Sequence, residues 1–409
     1  MAALSEGSYN VGGVLLPRPF KIQRLGHFGL NLSNMEEGIP FYTDLLGFRI
    51  SDTNDFSRRA TPEQIAGLGD PKGYFTRYGG DHHAFVVFPK RVRDALGRRR
   101  RFGPDVTINQ ITWQVGSLRQ VGDAVVWFQQ NGVEIQRTGR DMPGSNWHTY
   151  VYDPDDHTDE LYYGMEQIGW NGRSKPKAMY NRRFQEAPPL PQPSEWDEVQ
   201  QAIEEEVDLL SGFRHVEKNA ATYDVDGILL PRPFKITRIG PVGLFVKDVA
   251  VAEAFYRDVL GFTLTEESLW RGQRSVFMRA NTEHHSLALY PKALRETLGL
   301  SPHTTLMSFG LQLANYRQLR DAVAFLGERG VRVVDTVPPE LYPGIDYAAH
   351  VMDPDGHCVQ LYYYMEQVGW DGRPRPKELR RKVNPGEWPE TLESMTDTYE
   401  GEPYLGPWG

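Results

Sequence analysis

Residues 22–32, IQRLGHFGLNL, alternate with the period of a strand. From Met35 to Leu46 the apolar residues move to helical spacing, and Gly47 stops the run. Short strands follow as far as Phe88. The order then restarts: a strand from Thr107 to Val115, a helix from Leu118 to Asn131 with Gly132 just past its end, and strands at Val133–Arg137, Thr149–Tyr152 and Glu160–Tyr163. The sequence strand, helix, three strands recurs from Lys235 and again from Thr304. The pattern therefore predicts an α+β chain of four βαβββ modules.

The chain also repeats itself literally. LPRPFKIQRLG at Leu16 returns as LPRPFKITRIG at Leu230, and PFYTDLLGF at Pro40 as AFYRDVLGF at Ala254. HHAFVVFPK at His82 returns as HHSLALYPK at His284, and YYGMEQIGWNGR at Tyr162 as YYYMEQVGWDGR at Tyr362. A period this long is a domain duplication, not a solenoid. The expected division is two homologous halves, 14–174 and 228–374, a linker at 175–227, and an extended tail at 375–409. In the linker a proline-rich break (Pro188 to Pro193) precedes an acidic helix, Glu195 to Leu210, with Ser194 as its cap, expected to pack against the halves.

The stretch from Asp141 to Glu160, DMPGSNWHTYVYDPDDHTDE, gathers the candidate chemistry. Asp153-Pro154-Asp155-Asp156-His157 is a turn between two strands. Glu160 opens the second of them, where a carboxylate is either a solvated strand end or a ligand. His27 and Gln110 occupy equivalent places on the first strands of modules one and two. Together with Glu160 they could supply one nitrogen and two oxygens to one face of a metal, a set akin to the two-histidine, one-carboxylate triad of non-haem iron. The plain alternative is hydrogen-bonded polar residues on half-buried strands. His83, Tyr150, His148 and Asp141 complete the candidates. His157, repeated at His357, reads as structural.

Composition narrows the function classes. Of 409 residues, 40% are hydrophobic and 24% charged, enough for packed cores. The net charge of −9 argues against a protein that coats nucleic acid. The single cysteine, Cys358, excludes an intrachain disulfide framework. No apolar run is long enough for a membrane span, and the N-terminus lacks signal-peptide features, so a cytoplasmic protein is expected. The basic run Arg98 to Arg101 reads as a solvated helix end, because its counterpart at Glu296 to Gly299 is not basic.

The four modules, the FYxxxLGF helix end, the HHxxxxxP strand and the YxxDPDxH turn resemble the vicinal oxygen chelate superfamily, and within it the type I extradiol dioxygenases. The extradiol signature has a glycine, a histidine two residues on, Y-x-x-D-P-x-G and a glutamate. Here Gly139, Tyr150, Asp153-Pro154 and Glu160 follow it, while Asp141 departs from the histidine and Asp156 from the glycine. The resemblance implies that His27 and Glu160 are iron(II) ligands, with Gln110 where a second histidine ligand is usual. That departure leaves Mn, Ni or Zn open. It further implies that His83 is the acid/base and that Tyr150 holds the substrate. The implied activity is cleavage of a catecholic ring by dioxygen in a homo-oligomer. The rivals are a glyoxalase-like lyase or isomerase and a metal-free binding protein. The second half reads as degenerate: Pro241, Ser308, Gln360 and His350 stand for His27, Gln110, Glu160 and Tyr150, although His285 keeps the place of His83.

Overall fold

The computed structural model describes residues 8–97, 103, 105–140, 143–144, 146–179, 191–368, 371–381, 383 and 387–392. In the first half the strands of the main sheet are β1 (Ile22–Leu32), β2 (Arg49–Asp55), β3 (Lys72–Arg77), β4 (Phe85–Pro89), β5 (Ile108–Val115), β6 (Ile135–Arg140), β7 (Trp147–Tyr152) and β8 (Thr158–Tyr163). They form one sheet in the order β2-β3-β4-β1-β5-β8-β7-β6. The second half repeats it with β9 (Ile236–Val246), β10 (Thr263–Trp270), β11 (Gln273–Arg279), β12 (Leu287–Pro291), β13 (Leu306–Leu313), β14 (Val333–Val334), β15 (Ala348–Met352) and β16 (Cys358–Tyr362). Its order is β10-β11-β12-β9-β13-β16-β15-β14. Each half is thus two βαβββ modules joined at an antiparallel seam, β1 against β5 and β9 against β13.

The helices correct the periodicity in detail. The run from Met35 begins as an α-helix, Met35–Pro40, capped by Asn34, and loosens into a π-helix over Phe41–Leu45. Pro40 inside the run has no N–H to donate, which favours that change of ladder. Gly47 follows at φ +92. The second module's helix, Leu118–Gln130, is capped by Ser117. The linker helix stops at Glu204, short of Leu210, with Glu206 at φ 55. Three consecutive glutamates at its C-terminal end oppose the helix dipole. The linker packs on the first half: Ser174 N donates to Phe213 O (2.9 Å), and Ile50 N donates to His215 Nδ1 (3.1 Å). Arg98 to Arg101 lies outside the described residues, as does much of the tail. Of the tail's described part, Trp388 packs on the core.

The repeated motifs turn out to hold the halves together. His157 Nε2 meets Thr305 Oγ1 and His357 Nε2 meets Thr107 Oγ1, both at 2.9 Å, and Thr107 meets Thr304 at 2.6 Å. Tyr42 donates to Asp353 and Tyr256 to Asp153. Asp155 accepts from Lys247 N and Asp355 from Asn34 N. Phe28 stacks on Phe309 at 4.6 Å within one hydrophobic cluster drawn from both halves. Each DPDxH turn is therefore a docking element for the opposite half. Its fourth residue needs positive φ: Gly356 sits at +86, and Asp156 adopts +67, which aspartate tolerates better than most residues. The arginines of the two LPRPF repeats also cross over. Arg232 donates to Asp44 O and Arg18 to Arg257 O, at the C-terminal ends of the opposing helices.

Candidate metal centre and active site

Strand register places the candidate residues on one face. Glu160 on β8 is the cross-strand partner of Thr112 on β5 and of Tyr150 on β7, and Thr112 is in turn the partner of His27 on β1. Gln110 and His148 lie two residues from Thr112 and Tyr150, so their side chains share that face. Four central strands thereby bring together residues that are 133 positions apart in sequence.

Three of the predicted residues converge. His27 Nε2 lies 3.0 Å from Glu160 Oε2, and Gln110 Nε2 lies 2.9 Å from the first and 3.0 Å from the second. His27 and Glu160 are fully buried, and Gln110 nearly so. Two further residues, which the sequence did not single out, saturate the carboxylate: Thr112 Oγ1 donates to Oε2 at 2.8 Å and Asn146 Nδ2 to Oε1 at 2.7 Å. The period-two alternation of β5 could have revealed Thr112, two residues beyond Gln110. Asn146 comes from a loop and carries no such signal. Burial raises the carboxyl pKa of Glu160, but the charge and hydrogen bond of His27, then His148 and Thr112, outweigh it and hold it at about 2.

The other candidates surround this cluster. The His83 ring packs edge-on against His27 at 4.5 Å and against Phe75 at 5.2 Å, and its Nδ1 lies 3.1 Å from that of His82. Burial, His27 and His82 push the His83 pKa well down, so it is a neutral imidazole. Gly144, at φ +95, passes so close that a Cβ there would meet the His83 ring at 2.7 Å. Tyr150 is buried beside His148, with ring centroids 4.6 Å apart. His148 Nδ1 stands 3.9 Å from Glu160 Oε1, beyond hydrogen-bond distance. Asp141 lies outside the described residues.

A cavity of about 790 Å³ opens over the cluster, walled by Phe56, Phe75, Phe88, Tyr150, His83 and Gln110 among others. His27 and Glu160 lie behind this wall and His148 does not line it.

The arrangement suits a divalent metal. Cis ligands in an octahedral shell with bonds of about 2.1 Å stand about 3.0 Å apart, which is the spacing of the three atoms here. Hydrogen bonding alone leaves the triangle unsatisfied. A lone pair on His27 Nε2 accepts from Gln110 but repels Glu160, whereas a proton there serves Glu160 but faces the amide hydrogens. His27 Nδ1 has no partner among the described residues. Gln110 differs from expectation in one respect, because its amide nitrogen points inward. Arg93 donates to Asn109 Oδ1, which leaves Asn109 Nδ2 to donate to Gln110 Oε1 at 2.6 Å. A half-turn of the Gln110 amide puts oxygen in the same position. Among the described residues, no three His, Cys, Asp or Glu side chains are grouped so as to hold a metal, and Gln110 is the further polar side chain that meets both His27 and Glu160.

In the second half the counterparts do not form such a cluster. Pro241 has no donor, and Gln360 Nε2 meets His350 Nε2 at 3.1 Å. Leu341 and Tyr342, which correspond in sequence to Asp141 and Met142, are both buried, and the Tyr342 ring packs on His350 at 5.2 Å.

Paired βαβββ modules with a polar cluster inside one cup define a duplicated-module class of fold. Comparison with known families agrees. The model of the Glyoxalase/Bleomycin resistance protein/Dioxygenase superfamily matches residues 24–161 and 238–361, and the chain belongs to that superfamily. It is 28% identical over 131 residues to a 2,2',3-trihydroxybiphenyl dioxygenase of Sphingomonas paucimobilis, spanning 32% of this chain and 42% of that protein. It is 28% identical over 141 residues to metapyrocatechase 2 of Cupriavidus necator, spanning 34% of each. The chain thus covers less than half the length of these curated relatives. Among solved structures, homoprotocatechuate 2,3-dioxygenase from Arthrobacter globiformis superposes with a TM-score of 0.53 at 16% identity, over 86% of this chain and 82% of that one. A Mn(II)-bound glyoxalase from Novosphingobium aromaticivorans gives 0.51 at 14% identity, over 86% and 85%. These likenesses are of fold. Among the described residues no helix is long and apolar enough to cross a membrane.

Proposed function

We propose that the protein is an extradiol dioxygenase: it opens a catecholic ring with dioxygen, using one divalent ion, iron(II), held in the first half by His27, Gln110 and Glu160. The observation that carries this reading is the near-equilateral triangle of donor atoms beneath an aromatic-walled cavity. The ring-cleaving activities of the two curated relatives support it. A bound divalent ion supplies chelation of two adjacent substrate oxygens and a place for dioxygen. The protein's own groups do the rest. His83, neutral and next to His27, accepts a phenolic proton from the substrate and later returns one to the product. Tyr150 donates to a substrate oxygen and fixes the ring plane. Phe75 and Phe88 flank the ring and exclude water. Asn146 and Thr112 hold the Glu160 carboxylate ionised and aimed.

A second reading rests on Gln110 itself. An amide in place of an imidazole suits a Lewis-acid lyase or isomerase, in which the ion polarises a carbonyl and no dioxygen is used. Oxygen uptake with a panel of catechols, after anaerobic reconstitution with iron(II), decides between them. We expect uptake in proportion to catechol consumed. Metal binding at one ion per chain without any oxygen consumption would overturn the dioxygenase reading in favour of the second.

A further inference from the structure

The cavity has an unusual charge for this chain. The protein is acidic, with a net charge of −9. Yet among the described residues the cavity lining carries Arg58, Arg59, Arg93, Arg137 and Lys177, the last paired with Asp52 at 3.1 Å, against one lining acid, Asp55. Arg58 and Arg59 follow β2 at one edge of the sheet, and Arg137 sits on β6 at the other, so they reach the cavity from opposite sides. Arg58, Arg59 and Arg137 are exposed, and Arg58 makes no hydrogen bond or ion pair among the described residues. Arg137 lies over the Tyr150 ring, 4.4 Å from its centroid. Register measures its reach: Arg137 pairs with Tyr150, which pairs with Glu160. Two strand spacings separate Arg137 from Glu160, about 10 Å. A ring held at the donor triangle would direct a substituent toward that guanidinium. The second half lacks the feature, because the residue that pairs with His350 as Arg137 pairs with Tyr150 is the buried Val334.

From this we infer that the substrate is anionic: an aromatic acid whose ring sits at the donor triangle and whose carboxylate is received by Arg137 and Arg58 at the cavity mouth. Guanidinium groups match carboxylates in shape as well as charge. A cleft lined by one sign of charge also raises the local concentration of ligands of the other sign. The inference rests on the catechol reading only for the group that meets the triangle.

The test is an anaerobic calorimetric titration of the full chain, reconstituted with iron(II), using 3,4-dihydroxybenzoate and 3,4-dihydroxybenzamide. The two share a ring and a catechol and differ in charge. We expect the acid to bind about tenfold tighter or more at low ionic strength, with the preference shrinking as salt is added. Arg58→Gln combined with Arg137→Gln should collapse that preference while the variant melts as cooperatively as the parent. Equal affinity for acid and amide, binding by neither, or a preference that survives the double substitution would overturn the inference. Readmitting air tests the ring-cleavage reading separately. A preference for the acid with no oxygen consumed keeps this inference and removes that reading. Oxygen consumed while acid and amide bind alike does the reverse.

Discussion

The two halves share a strand order, helices and docking turns, yet among the described residues only the first presents a candidate site. In the first, His27, Gln110 and Glu160 converge and the cup above them is open. In the second, proline and two neutral side chains occupy the same positions, and the cup is filled by Tyr290, Leu341, Tyr342 and Ile345, with Tyr290 donating to Leu341 O at 2.6 Å. Thr112, which steadies Glu160, has Gly310 as its counterpart. A Cβ on Gly310 would lie 2.3 Å from Gly240 O, so the backbone there leaves no room for a side chain like that of Thr112. The contrast separates what the fold requires from what the chemistry requires. The docking residues, Asp153 with His157 and Asp353 with His357, are kept in both copies. The donors and the cavity are not.

That contrast can be broken most directly at the carboxylate. Glu160→Ala should abolish metal binding and activity, and Gln360→Ala should leave both nearly unchanged, as read by elemental analysis and oxygen uptake on variants that melt cooperatively. Equal losses in both would mean that both halves build the site. The filled cup makes the opposite prediction about stability. Tyr342→Ala should cost about 3 kcal/mol, measured by denaturant unfolding, without creating activity. Next come the residues that hold Glu160. Thr112→Val or Asn146→Ala should weaken metal binding about 10- to 100-fold, measured by competition with a chelator. Gln110→His should raise iron affinity, because imidazole suits iron better than an amide oxygen. A fall in both affinity and turnover would show a position tuned for other chemistry.

The smallest effect tests what the halves share. Burial lowers the pKa of His157 and His357, but Asp153 and Asp353 more than offset it, so both are raised above the usual value. A raised folded value means that each ion pair contributes fully below about pH 6.5 and loses its contribution as pH rises through the folded value. Melting temperature should therefore decline above about pH 6.5, and His357→Gln should flatten that decline. A slope unchanged in the variant would remove this pair from the account.

Much of this was written in the sequence. The period of 2 in residues 22–32, the helical spacing after Met35 and the long repeat determined the modules and their duplication, because side-chain periodicity follows directly from strand and helix geometry. Family pattern pointed to His27 and Glu160, and alternation along β5 could have added Thr112. Tertiary structure alone decided the rest. The register of β1, β5, β7 and β8 brings residues far apart in sequence within 3 Å, and no local pattern encodes that register. The DPDxH turns looked like simple turns until the opposite half supplied their partners. The linker helix ended early, at a run of glutamates. That the second cup is filled depended on how Leu341 and Tyr342 pack, apolar residues that look the same in sequence whether they pack a core or wall a cavity. Only the surrounding packing distinguishes the two.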